Sequence, residues 1–231
     1  MLKRLFPPRK TKKPAYLSIS TRIDDDNAGW TAISTRPHDR DYSEIQEQYT
    51  DALTAWRKNP LAWRIIAITT DYVIGKEFTL TSKFKPMDNF IKDFWNHQKN
   101  RMNLRLTGMC DELSRSGDLF VLLWQNPIDG MSYIRFITKD QVRGIKTAPM
   151  DWETEISYQV GADGVRPDPL SSDPVTYPSP DAEEAAESQV ICLHYSVNRP
   201  IGALMGESDL TTLIPWLLRY SRMLEDRVRL H

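Results

Sequence analysis

The sequence predicts an α+β fold in which packed helices are joined to short antiparallel strands and the chain ends in a long helix. Three observations carry it. Apolar residues recur at helical spacing in several stretches, alternating or short continuous apolar runs follow them, and Gly, Pro and Asn punctuate the boundaries. The 231 residues, 40% hydrophobic and 26% charged, are enough for one large or two small domains with a sizeable core.

Residues 1–42 open on MLKRLFPPRKTKKP, pass through Asp24, Asp25 and Asp26, and show no sustained apolar period, so a basic, flexible arm is expected. Residues 43–150 form a helical and hairpin domain. Ser43 and Gln46 make a capping-box pattern, and Ile45, Tyr49, Leu53 and Trp56 follow at helical spacing to about Lys58. Asn59 as N-cap and Pro60 at the first helical position start a second helix that stops at Gly75. Its apolar residues, among them Leu61, Trp63, Ile65, Ile66, Ile68, Tyr72 and Val73, surround most of its circumference, which marks it as a central core helix.

A short strand is expected over Glu77–Thr81. A helix follows from Pro86 with Phe90, Ile91, Phe94 and Trp95 on one face, and another over Met102–Leu113. Gly117 suits a helix C-terminus, after which DLFVLLWQ, PIDG and MSYIRFI read as strand, turn and returning strand. Residues 151–197 hold a strand pair, Glu155–Val160 and Gln189–Val197, around a flexible acidic loop. Residues 198–231 are a loop and the start of a long helix. Ser208 is the expected cap, with Asp209 in the first turn and Leu210, Leu213, Ile214, Leu217, Leu224 and Val228 as the apolar stripe. Arg219, Arg222, Glu225, Asp226 and Arg229 populate the other side, and the helix meets no stop signal, so it reads as cut rather than completed.

Composition excludes several functions. A net charge of −1 argues against a free-standing nucleic-acid binder, and no apolar run is long enough to span a bilayer. Cys110 and Cys192 match no disulfide or zinc pattern, and neither G-x-x-x-x-G-K-[ST] nor G-x-G-x-x-G occurs, so no metal or cofactor is expected. Ser114 and Ser116 lack the G-x-S-x-G turn of a hydrolase nucleophile and read as a helix end. Cys192 and His194 share a strand face but lack further ligands, so packing is the preferred reading. Asp111 and Glu112 diverge by about 100° on a helix and do not converge on a substrate. His38 and His97 read as solvated or locally bonded. Trp56, Trp63, Trp95, Trp124 and Trp216 read as core or subunit contacts. Lys3, Arg4, Arg9, Lys10, Lys12 and Lys13 are candidates for a sequence-independent electrostatic contact.

The phrases YTDALTAWRKNPLAWRIIAITTDYVIG, SGDLFVLLWQ, SQVICLHYSV and NRPIGALMGESDLTTLIPWLLRYSRMLEDRV occur in an order that resembles the portal proteins of tailed bacteriophages. The last is the most specific, through the G-x-S-x-L phrase formed by Gly206, Ser208 and Leu210. The resemblance covers roughly residues 44–231 with interruptions, and portal subunits are normally longer. It implies a wing-like region with the start of a stem helix, whose stripe, together with Arg222, Glu225 and Arg229, meets neighbouring subunits. The implied role is structural rather than enzymatic: a homo-oligomeric ring, usually of about twelve subunits, at one vertex of the virion capsid. Double-stranded DNA passes through such a ring without sequence specificity. Terminase docks on it during packaging and supplies the ATPase, and the partners are the major capsid or scaffolding protein and the head-tail adaptor. The alternatives are a nucleic-acid-binding protein acting through the basic arm, or an α+β hydrolase.

Overall fold

The structure, a computed structural model, describes residues 30–32, 40–75, 79–161 and 174–229. It is α+β, with five helices and two antiparallel sheets among the described residues. The helices are α1 (Tyr42–Lys58), α2 (Pro60–Ile74), α3 (Lys85–Asn96), α4 (Met102–Ser116) and α5 (Ile214–Arg229). The strands are β1 (Trp30–Ala32), β2 (Asp118–Gln125), β3 (Ser132–Ile137), β4 (Val142–Ala148), β5 (Asp151–Val160), β6 (Val175–Pro178) and β7 (Val190–Ser196).

One sheet has the order β3-β2-β7 and the other β1-β4-β5-β6. In the first, the expected hairpin pairs Phe120 with Ile137, and β7 lies on the opposite side of β2 with Phe120 against His194. As the middle strand, β2 is buried on both faces, which is why it reads as a nearly continuous apolar run. Phe120 and Leu122 face the other sheet, and Ile145, Tyr158 and Val160 of that sheet complete the main core with Ile45 of α1 and Cys192 of β7. Leu119 and Val121 face α3 and α4, where Met102, Phe94, Trp95 and Leu113 cover them. A third cluster joins α1, α2 and the chain before α5 through Ala62, Ile66 and Leu210.

The helix boundaries follow local chemistry. Asn59 Oδ1 accepts the Leu61 N–H at 2.9 Å, and Gly75 and Gly117 end α2 and α4 with positive φ. The connection between α3 and α4 is fixed by Asn100, fully buried, whose amide donates to Phe94 O and Ser132 O while its Oδ1 accepts the Ile134 N–H.

Several expectations are corrected. Ser43 is not a cap: α1 starts at Tyr42 after Asp41, and the Gln46 side chain donates to Tyr42 Oη instead. Of the strand expected over Glu77–Thr81, residues 77 and 78 lie outside the described residues and Thr79–Thr81 is not a strand. The expected boundary at 150/151 falls between paired strands β4 and β5 of one sheet. The region expected to be an acidic loop contains β6, which pairs with β5, and a 3-10 turn at Glu183–Ala186. Residues 162–173, between those strands, lie outside the described residues.

The largest correction concerns α2. It is packed on one side only, through Ala62, Ile66 and Thr70, while Leu61, Trp63, Ile68, Tyr72 and Val73 are exposed. Its described neighbours, α1, α4 and Leu210, cover a single arc of the helix.

Candidate functional site

The α4–β2 junction places a carboxylate in the centre of the molecule. Gly117 turns the chain with φ +85°, and Asp118 opens β2 with its side chain fully buried. A buried carboxylate is tolerated only when paired and hydrogen-bonded. Lys139 Nζ lies 2.7 Å from Asp118 Oδ2, and Oδ1 is shared by His194 Nε2 at 3.0 Å and the Gly206 N–H at 2.8 Å. The Lys139 ammonium also donates to Ser116 O and Gly206 O, at 3.0 and 2.6 Å.

His194 extends the cluster into the second sheet. Its Nδ1 lies 2.9 Å from Glu155 Oε2, and Glu155 also accepts from Tyr158 Oη at 2.7 Å. The imidazole stacks on Phe120 with ring centroids 4.2 Å apart and meets Tyr158 edge-on. Burial alone pulls the His194 pKa down, but hydrogen bonds to Asp118 and Glu155 outweigh it and raise the value to about 9. Burial likewise pushes Asp118 up, and its bond from His194 and the charge of Lys139 leave it below the usual carboxylate range. At neutral pH His194 is therefore held as a cation between the side chains of Asp118 and Glu155.

This arrangement ties separate parts of the chain together. Its four side chains come from β2, β5, β7 and the 3-10 turn at Lys139–Gln141, and all are largely or fully buried. Burial pushes the Cys192 thiol well above its ordinary pKa, which keeps it a thiol. Ser114 Oγ is hydrogen-bonded to the Asp209 carboxylate and Ser116 Oγ donates to Glu112 O. Neither serine meets a histidine base. A cavity of about 380 Å³ opens beside Glu155, lined by Glu153, Ser179, Asp181, His194 and Arg199.

The cluster holds down the segment that the sequence singled out. Gly206 is wedged between backbones: a Cβ there would sit 2.3 Å from Gly117 O and from Val197 O. Ser208 and Asp209 do not cap α5, which starts at Ile214. Ser208 Oγ accepts the Leu210 N–H at 3.0 Å in a tight turn. Asp209 is already engaged, its N–H with Ser114 O and its carboxylate with Ser114 and Asn198. Leu210, fully buried between α1 and α2, draws the chain inward and delays the helix.

Of the expected stripe, Leu210, Leu213, Ile214 and Leu217 are buried or half-buried, whereas Leu224 and Val228 are exposed along with Arg222, Glu225 and Arg229. Lys3, Arg4, Arg9, Lys10, Lys12 and Lys13 lie outside the described residues, as do His38 and His231. His97 is locally bonded, its Nδ1 accepting the Lys99 N–H at 3.1 Å. The residues that sequence reasoning missed are Asp118, Lys139 and Glu155, and His194 was seen only as a packing residue. For Asp118 and His194 the one signal was an ionisable side chain on an otherwise largely apolar strand, and Lys139 and Glu155 carried none.

No protein-family model matches this chain, and a search of curated proteins finds no match either.

Proposed function

We propose that this chain is a structural subunit of a phage portal ring, the conduit for double-stranded DNA at one capsid vertex, and that it has no catalytic role. The observation that carries the reading is the exposed apolar surface of α5. Trp216, Leu218, Tyr220, Met223, Leu224 and Val228 all face solvent on a helix with no buried residue. A helix with an apolar arc is completed by a neighbour. The ordered phrases that resemble those of portal proteins suggest the particular assembly.

In this reading the buried charge cluster is scaffolding. It fixes the loop 197–213 so that α5 leaves the body at a set angle, which a ring of identical contacts requires. Terminase, the head-tail adaptor and the major capsid or scaffolding protein then dock on the ring, in the virion or its precursor. Sedimentation velocity and negative-stain electron microscopy of the purified chain test this. Closed rings with a central channel wide enough for duplex DNA are expected, and a particle that stays monomeric at high concentration overturns the reading.

A further inference from the structure

Two largely exposed and mostly apolar seams lie on one chain and have the same spacing. On α2, Leu61, Ile65, Ile68 and Tyr72 recur at intervals of four, three and four residues. On α5, Trp216, Tyr220, Met223 and Arg227 recur at the same intervals. That spacing is the one with which two helices interlock side chains along a shared seam. Each seam spans twelve residues, about 16 Å of helix from first to last. Tyr72 is 87% exposed and Trp216 is 66% exposed.

The two seams cannot meet within one molecule. The root of α5 is held through Leu210, Ile214 and Leu217 against the cluster containing Ala62 and Ile66, on the buried side of α2. Of the α2 seam, Leu61, Ile68 and Tyr72 are exposed and uncovered by any described element, while Ile65 is half-buried and packs against that cluster.

We infer that the α5 seam of one copy docks on the α2 seam of the next copy, a head-to-tail contact between two different surfaces of the same chain. The inference rests on the assembly proposed above and names the surfaces that build it. In a parallel arrangement the last members of the two seams coincide. Arg227 then stands beside the Tyr72 ring and the Asp71 carboxylate, which its own Arg64 holds only at 3.7 Å with both side chains exposed. Each seam offers on the order of 400 to 500 Å² of apolar surface, so a single contact is weak. A head-to-tail assembly uses both seams of every copy, and closing the ring repeats the contact with no end left open.

The test uses two variants of the full chain, Tyr72→Glu and Met223→Glu, each placing a charge in one seam at an exposed position. Thermal melts matching the wild type establish that both fold. By sedimentation velocity at protein concentrations high enough to populate a single weak contact, each variant alone is expected to be monomeric where the wild type assembles, and an equimolar mixture is expected to give dimers and nothing larger. The dimer forms because the intact α5 of the first variant meets the intact α2 of the second. If the wild type assembles and both variants assemble equally well, or if the mixture stays monomeric, this contact is wrong while the ring remains possible. Dimers from the mixture alongside open, channel-free wild-type filaments confirm the contact and remove the portal reading. A monomeric wild type removes both.

Discussion

The sheet half of the molecule carries charge in its interior, while the helical half carries apolar side chains on its surface. In the first, Asp118, Lys139, His194 and Glu155 neutralise one another within a single chain, bridging two sheets and the loop to α5. In the second, α2 and α5 expose Tyr72, Trp63, Trp216 and Val228. Both arrangements are unfavourable in isolation, and they differ in where the remedy lies. The charges are compensated internally, so the sheet half needs no second chain to neutralise them. The apolar faces of α2 and α5 have no partner among the described residues, and in the proposed assembly a neighbouring copy completes the helical half. A test of the comparison therefore asks whether a substitution changes stability or changes assembly.

The largest stability effect is expected at Asp118. Asp118→Ala leaves Lys139 and His194 as two buried cations without their shared carboxylate and loses the acceptor of the Gly206 N–H. Removing one partner of a buried ion pair costs about 3–5 kcal/mol. Urea denaturation should show a loss of that order, and a change below about 1 kcal/mol would falsify the view that the cluster locks the two sheets.

The same cluster predicts a pH profile. A histidine whose folded pKa is raised from 6.5 to about 9 contributes stability that is complete below 6.5 and lost as pH rises through about 9. Full loss is on the order of 3 kcal/mol. Asp118, lowered from 3.8, contributes stability above that value and loses it as pH falls below. The urea midpoint should be flat from pH 5 to 6.5 and decline toward pH 10, and the alkaline decline should shrink in His194→Gln. A midpoint unchanged between pH 6.5 and 10 contradicts a charged His194.

How much of this was legible in the sequence depends on whether the signal was local. Asn59-Pro60, Gly75 and Gly117 act on their own turns, and the structure places helix ends at each. The run after Asp118 is apolar because β2 is buried on both faces, so it too was readable as a strand. By contrast β4 is VRGIKTA, whose pairing with β5 shifts register at three places, and such irregularity erases the alternation that marks a strand. The strand β6 is four residues ending in Pro178, a composition tolerated because it is an edge strand. The charge cluster joins residues 118, 139, 155 and 194, and no spacing rule connects positions that only sheet topology brings together. For α2 the period was right and its environment was not, because a helix apolar on several sides does not say which chain supplies the cover.

Gly206→Ala comes next in size. The new methyl would meet two carbonyl oxygens at 2.3 Å, and both belong to backbone held by further bonds: Val197 N–H to Gly117 O at 2.8 Å and Glu207 N–H to Val197 O at 3.2 Å. Overpacking of this kind costs about 1–3 kcal/mol, and here it also displaces the acceptor of Lys139 and the donor to Asp118. Thermal unfolding should fall accordingly. A variant as stable as the wild type shows that the loop is not clamped.

The smallest stability effect is expected where the assembly effect is largest. Tyr72 is almost fully exposed, so Tyr72→Glu should alter the unfolding free energy of the isolated chain by no more than about 0.5 kcal/mol. Asp118→Ala should do the opposite, reducing stability whether or not the chain associates. Measuring both variants by urea denaturation at low concentration and by sedimentation at high concentration separates the halves. If Tyr72→Glu destabilises the monomer by more than about 1 kcal/mol, its ring is part of the fold, and the division between a self-sufficient sheet half and an incomplete helical half fails at that position.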